Sequence, residues 1–269
     1  MPNAKDVTDS GLFRILAAGF AGGGKTTQIR SLPGRKFVYA FDPNCVRSLA
    51  GADIEYELFT PDIADVDMSA KPLDKAKKED KTTGTKNPRA YVDWENHFEE
   101  HYANGYFKQF DWLCFDSFTT FAEILMDRIL YLNGRLGRQP QQDDWAAQMQ
   151  SIKNVFRVLT AMDINLYCTG HIQPKQDELT KKTYLQLVIT GQLRLRLPML
   201  FTDIWGLFCD SDDKGESFTM QTRPDRELPY LRSSVKGLEH IEDITIHDMA
   251  NAEREGIGRI LSPFIRTKA

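Results

Sequence analysis

The sequence predicts a three-layer α/β fold with a mostly parallel central sheet, a late β-hairpin and a small C-terminal helical tail. Three observations predict it. A glycine-rich turn joins a buried apolar run to a segment able to be a helix within residues 12–32. Three further apolar runs close on polar residues, at Asp42, at Asp116 and at Thr169-Gly170-His171. Amphipathic segments with helical spacing separate the later runs, which is the alternation expected of strands covered by helices.

Residues 12–18 read as the first strand and residues 25–32 as the first helix, ended by Pro33-Gly34. Between them Gly19-x4-Gly24-Lys25-Thr26 completes a G-x-x-x-x-G-K-[ST] pattern. A polyphosphate brings several negative charges against the backbone. Positions without a Cβ, here Gly19, Gly22, Gly23 and Gly24, let the N–H groups turn inward to meet them. The cradle therefore spans Gly19-Phe20-Ala21-Gly22-Gly23-Gly24-Lys25-Thr26-Thr27. In it Lys25 reaches the β/γ-phosphates of ATP, the Thr26 hydroxyl holds Mg²⁺, and Thr27 faces the α-phosphate side or the helix.

Lys36–Phe41 is a second strand, stopped by Asp42-Pro43-Asn44 at the carboxyl edge of the sheet, where ligands sit in open α/β folds. Asp42 is thereby expected near the phosphates. Residues 61–90 change character. Lys71–Arg89 holds seven basic and three acidic residues and no aromatic, and reads as a charged surface insertion, a solvated tether more readily than a phosphate-backbone contact. Residues 92–109 look helical and contain His97-Phe98-Glu99-Glu100-His101, a literal H-x-x-E-H zinc-peptidase match. It is set aside, because the surroundings are polar and no third ligand is evident.

Phe110–Ser117 is a buried strand closing on Asp116, a carboxylate able to hold the Mg²⁺ water shell that Thr26 contacts. Residues 118–132 continue as an amphipathic helix, broken by Asn133–Gln142. Residues 143–160 form another, with Trp145, Met149, Ile152, Val155 and Leu159 on its apolar face. Ile164–His171 is a further strand, and His171 at its end can bond the γ-phosphate or the attacking water; its alternative is a strand-capping histidine.

Gln173–Lys182 is a charged turn before a strand-like Thr183–Ile189. Gln192–Leu197 alternates as a strand does but could equally be the first turns of a helix running into Pro198. Phe201–Cys209 is a late core strand paired with Ser217–Thr222 across the turn at 210–215. Residues 237–269 read as a small tail with a helix near 246–256, giving a main domain at 1–236 and a C-terminal tail at 237–269.

At 269 residues and 41% hydrophobic content the chain suits one large α/β domain with an insertion. A formal charge of −4 excludes a protein that coats nucleic acid everywhere, so any such surface is a local basic patch. Cys45, Cys114, Cys168 and Cys209 form no C-x-x-C pair, and the last three sit in apolar runs, as reduced core cysteines do. The N-terminus has no apolar signal region and no window is long enough to span a bilayer, so a soluble cytoplasmic protein is expected.

The order of glycine-rich loop, strand to Asp42, strand to Asp116, strand to Thr169-Gly170-His171 and late strand after Phe201-Thr202-Asp203 resembles the RecA-like P-loop ATPases. In particular it resembles the phage nucleotide-binding ATPases related to single-strand annealing recombinases. The resemblance implies a five-stranded central sheet with the sensor strand between the P-loop and Mg²⁺ strands. It also implies a homo-oligomer, ring or filament, whose carboxyl-edge loops face single-stranded DNA. The DNA-contacting cations are then Arg135, Arg138, Lys175, Lys181 and Lys182, and the cation given to a neighbour's ATP is among Arg223, Arg226, Arg232 and Lys236.

One departure matters. RecA-type sequences carry a glutamate base two residues past the second-strand Asp, and here Asn44 stands there; AAA-type sequences carry it after the metal Asp, and here Ser117 does. Asp42 is left as the nearest candidate base. A DNA-dependent ATPase of recombination or annealing is favoured by the basic loops, whereas a slow nucleotide-gated switch or assembly factor with a protein partner is favoured by the missing glutamate. A small-molecule kinase would need an Arg-rich lid that is not evident.

Overall fold

The computed structural model describes residues 11–62, 87–178, 181–189, 191, 193–213 and 215–265. Residues 63–86, most of the charged insertion, lie outside the described residues. Six strands run parallel, in the order β3 (Glu55–Leu58), β2 (Lys36–Ala40), β4 (Trp112–Asp116), β5 (Asn165–Gln176), β1 (Arg14–Gly19) and β7 (Asp203–Asp212). β8 (Gly215–Gln221) returns antiparallel beside β7, and β9 (Ile241–Asp243) beside β8. β6 (Thr183–Leu187) pairs antiparallel with the far half of β5.

The sensor strand β5 does separate the P-loop strand β1 from β4, but the sheet exceeds the five strands that the resemblance implies. β3 and the three-residue β9 are the strands that sequence reading passed over. All four residues of β3 are exposed at the sheet edge, so its sequence carries no buried run to announce it.

The pleat sends alternate residues to opposite faces, and two separate cores result. Leu16, Ala18, Phe37, Tyr39, Leu113, Phe115, Leu166 and Cys168 point to one face. Ile15, Ala17, Val38, Ala40, Trp112, Cys114, Tyr167 and Trp205 point to the other. Because both faces are covered, β1, β2 and β4 are buried at every position, which is why they read as continuous apolar runs and not as alternation.

The first face is covered by α1 (Ala90–Ala103), α2 (Phe118–Leu132) and α3 (Gln142–Ala161), through Trp94, Phe121, Leu125, Ile152 and Phe156. Ser117 starts α2 as its N-cap, its hydroxyl accepting from Thr120 N at 3.3 Å. In α3, Ile152 and Leu159 are buried as expected, Met149 and Val155 pack at the margin, and Phe156 is fully buried. Trp145 is not part of that apolar face: it stays 38% exposed.

The opposite layer departs further from expectation. The predicted helix at 25–32 is a five-residue 3-10 turn, Thr27–Ser31. Leu32 precedes Pro33, which disfavours helical backbone there, and its ψ is 134°. The rest of that layer comes from a 3-10 turn after β2, Cys45–Leu49, which buries Cys45 and Leu49, and from later in the chain, a 3-10 turn at Met249–Arg254 and α5 (Gly256–Leu261). Ile257, Ile260 and Leu261 join Ile29 and Leu32 in the second core. Gln28 fastens the two pieces: its Nε2 donates to Ile244 O at 2.7 Å and its Oε1 accepts from Ile257 N at 2.9 Å. The open question at Gln192–Leu197 resolves as helix from Leu193 on, a short α4 (Leu193–Arg196) running into a 3-10 turn that holds Pro198, with Gln192 outside the described residues. Cys45, Cys114 and Cys168 are buried thiols, while Cys209 is only half-buried, because β7 has by then left the core for the hairpin.

α5 packs against the P-loop turn backbone to backbone. A Cβ on Gly258 would collide with Ser31 O, where neither partner can swing away. Gly258→Ala is therefore expected to cost about 3 kcal/mol, as overpacking of a fixed contact does, read as a fall of several degrees in the thermal midpoint.

Candidate nucleotide site

The register brings the predicted residues to one level of the sheet. Gly19 ends β1 opposite His171 of β5, and Ala40 of β2 lies opposite Asp116 of β4, so Asp42 follows two residues past that pair. All of them stand at the carboxyl edge.

The loop after β1 is shaped partly by what lies behind it. A Cβ on Gly19 would collide with Leu207 O of β7, so β7 excludes any other residue there. Gly24 combines φ +77° with a position whose Cβ would meet the Phe218 ring of β8 at 2.7 Å. The late hairpin is thus the bed on which the glycine loop lies. Phe20 and Ala21 are exposed on its outer side, and Thr27, first residue of the 3-10 turn, is half-buried.

Lys25 is 6% exposed and turns back over the loop, its Nζ donating to Gly19 O at 3.0 Å and Phe20 O at 2.7 Å. Burial pulls its ammonium down to about 8 against the opposing attraction of Asp116 and Asp42. Tyr167 holds the lysine's backbone, its hydroxyl donating to Lys25 O at 3.0 Å.

Asp116 is 1% exposed, and both its oxygens accept from hydroxyls: Oδ2 from Thr26 at 2.8 Å and Oδ1 from Thr169 of β5. Burial pushes its pKa up, and the bonds from Thr169 and Thr26 oppose that. A buried carboxylate meeting the P-loop hydroxyl suits a hard divalent cation, which takes oxygen ligands and keeps waters. Thr26 and Asp116 would hold Mg²⁺ here, directly or through its water shell.

Asp42 has its own set of donors. Oδ1 accepts from Thr120 Oγ1 and, at 3.3 Å, from Ser117 Oγ, while Oδ2 lies 3.8 Å from His171 Nε2. Burial alone would raise its pKa, but the His171, Thr120 and Ser117 side chains outweigh burial and bring it below the usual carboxylate range. His171 is fixed through its backbone N, which donates to Thr119 Oγ1 at 3.1 Å.

Sequence reasoning missed the hydroxyls that hold Asp42 and His171. Thr119 and Thr120 lie in the first turn of α2, two and three residues past the N-cap, where helix N-termini place side chains beside strand ends. Ser117, noted in the sequence only as an absent glutamate, caps α2 and touches Asp42. Glu123, one turn further along α2, is a third carboxylate nearby; burial raises its pKa, and the charge of Asp42 adds to the rise.

The basic candidates divide. Arg135 is tied to the fully buried Asp144, whose carboxyl the arginine's hydrogen bond holds down to about 2. Arg232 donates to Pro198 O and Phe201 O, and Arg223 to Leu238 O at 2.6 Å. Arg138, Lys175, Lys181, Lys182, Arg226 and Lys236 are exposed. Lys175, Lys181 and Lys182 ride on the β5–β6 hairpin, which leaves the sheet at the nucleotide edge. Arg223, Arg226, Arg232 and Lys236 follow β8 towards the opposite edge, Arg232 bridging to Ile204 near the start of β7. The H-x-x-E-H histidines have structural uses: His97 Nδ1 meets Tyr39 OH at 3.0 Å, and His101 Nδ1 meets His97 O at 2.8 Å.

A parallel sheet with the sensor strand between P-loop and metal strands, a G-x-x-x-x-G-K-T loop at its carboxyl edge and a strand-end Asp on the loop threonine define a P-loop nucleotide-binding protein. The chain belongs to the AAA domain family AAA_24, whose model matches residues 13–229. A comparison with curated proteins finds no match. Among solved structures the chain is similar to the flagellar accessory protein FlaH from Methanocaldococcus jannaschii, at 9% identity over 87% of this chain and 92% of that one, with a TM-score of 0.36. That likeness is too remote to bear on function. Among the described residues no helix is long and apolar enough to cross a membrane.

Lys25→Ala is expected to weaken ATP binding by about 1.5–3 kcal/mol, roughly 10- to 150-fold, while the fold is kept, because the ammonium contacts loop carbonyls and no core group. Titration of a fluorescent ATP analogue beside a circular dichroism melt checks both halves. Asp116→Asn should depress Mg²⁺-dependent turnover more than nucleotide binding in EDTA, and equal loss in both would make Asp116 a structural group.

Proposed function

We propose that this chain is a Mg²⁺-dependent ATPase that acts on single-stranded DNA in phage-type recombination or single-strand annealing, as a homo-oligomer. The observation that carries the ATPase part is Asp116 bonded at once to the P-loop Thr26 and to Thr169 of the sensor strand, a carboxylate built for a nucleotide-bound cation. The DNA part is supported by the exposed Lys175, Lys181 and Lys182 on a hairpin rooted at the nucleotide edge, with Arg138 on the α2–α3 connection. All four of Arg223, Arg226, Arg232 and Lys236 are exposed, but Arg223 and Arg232 are bonded to backbone carbonyls, so Arg226 and Lys236 are the candidates for a cation offered to a neighbour.

Asp42 takes the part of base. It is ionised at neutral pH, but a carboxylate held below its usual range is a weak acceptor, because general-base efficiency peaks when the pKa lies near the working pH. Slow hydrolysis follows, which also supports the second reading, a nucleotide-gated switch with a protein partner. ATPase rate with and without single-stranded DNA separates them: stimulation supports the first, indifference the second.

With Asp42 as base, Asp42→Asn should cut kcat by on the order of 10² with little change in ATP affinity. Unchanged turnover in a folded variant would move the base elsewhere.

A further inference from the structure

The chain has four tryptophans. Trp94, Trp112 and Trp205 are at most 1% exposed; Trp145, in the first turns of α3, is 38% exposed and belongs to neither core. It lines a cleft of about 270 Å³ shared with Thr119, Glu123, Gln148 and Gln173 and closed on one side by Val188 and Ile189. That cleft has two borders. Along α2 it reaches Thr119, which holds the backbone of His171. Along β5 it reaches Gln173, at the root of the lysine-bearing hairpin.

We propose that this cleft receives an unstacked base of a single-stranded nucleic acid, stacked on the Trp145 indole, with the backbone phosphates led along the β5–β6 hairpin. This rests on the single-strand reading above and names the place where the strand is gripped.

The hairpin carries what such a strand needs. Lys175 lies two residues beyond Gln173, so the pleat turns both to the same side, about 7 Å apart along the strand. Tyr184 stands directly opposite Lys175 in the register, a half-buried aromatic beside that cation. Lys181 and Lys182 continue the cations to the tip, where Asp177 and Glu178 limit the net charge. Base stacking tolerates any sequence because every base has a π face, whereas the cations meet phosphate. Within the cleft, Gln173 offers an amide and Glu123 an acceptor for an exocyclic amine.

The test uses intrinsic fluorescence and a fluorescein-labelled oligodeoxynucleotide of mixed sequence, on the full chain with ATP and Mg²⁺. Because the other three tryptophans are buried, quenching on addition of the oligonucleotide reports Trp145 and should vanish in Trp145→Phe. Trp145→Ala should weaken binding by roughly 5- to 150-fold, the range of one lost base stack, and leave the slope of log K against log salt unchanged. Trp145→Phe should keep most of the affinity. Lys181→Glu with Lys182→Glu should instead flatten the slope. Wild-type affinity and unquenched fluorescence in the presence of bound DNA would overturn the cleft while leaving DNA binding in place. No binding by the wild type at low salt would overturn both the cleft and the DNA reading. Weaker binding of Trp145→Ala with a flattened slope would place Trp145 in support of the cations and overturn the stacking role.

Discussion

The buried carboxylate of Asp116 is the constraint on which the nucleotide edge is built. Taking a charge out of water is costly unless it is hydrogen-bonded, and here the donors are two hydroxyls from two separate elements, Thr26 of the glycine loop and Thr169 of β5. Both must arrive at the end of β4 in one register. A slip of one residue in β5 would turn Thr169 away and send Tyr167, whose hydroxyl holds Lys25 O, to the opposite core. The same pairing that satisfies Asp116 therefore sets Lys25, His171 and the two hydrophobic faces together.

The glycine loop has a second support. Its back lies on Leu207 O and the Phe218 ring, so the β7–β8 hairpin supports the candidate nucleotide site without contributing a polar side chain to it. The 3-10 turn after the loop is too short to bring a long helix dipole to the phosphates, and its polar side chains face the tail: Gln28 and Ser31 bind Ile244, Ile257 and Gly258. A nucleotide bound here would therefore rely on the backbone N–H groups of the loop and the Lys25 charge more than on the dipole of this short turn.

Much of this was legible in the sequence, for physical reasons. β1, β2 and β4 are covered on both faces and wrote continuous apolar runs, and the loop motif fixes residue types one by one. α2 and α3 showed their periodicity because one face of each is buried. What escaped is what periodicity does not encode. β3 is an exposed edge strand held by backbone pairing to β2 and by Glu55, which accepts from Arg35 and Tyr106, so no buried apolar run marks it. Trp145 fits a helical stripe by spacing, yet Phe156 occupies the core and Trp145 lies outside it. Arg135 reads as a free loop cation until the fold brings Asp144 beneath it. Thr120 has no motif at all, since its role depends on β2 ending beside the start of α2.

The arrangement of β5 joins these pieces. Its first half is core, bonded in parallel to β1 and β4; its second half is a projecting arm bonded only to β6 in the described sheet. Thr169, His171, Gln173 and Lys175 follow one another at alternate positions along it, so one strand touches in turn the metal carboxylate, the proposed base, the proposed base-stacking cleft and the cationic hairpin. A ligand on the arm and a ligand at the loop would therefore act on one continuous, hydrogen-bonded element. Energetic coupling between two sites requires that each ligand favour one arrangement of a shared element. On the single-strand reading proposed above β5 would be that element, and His171, where its core half meets its arm, is the residue through which a shift of either half would reach Asp42.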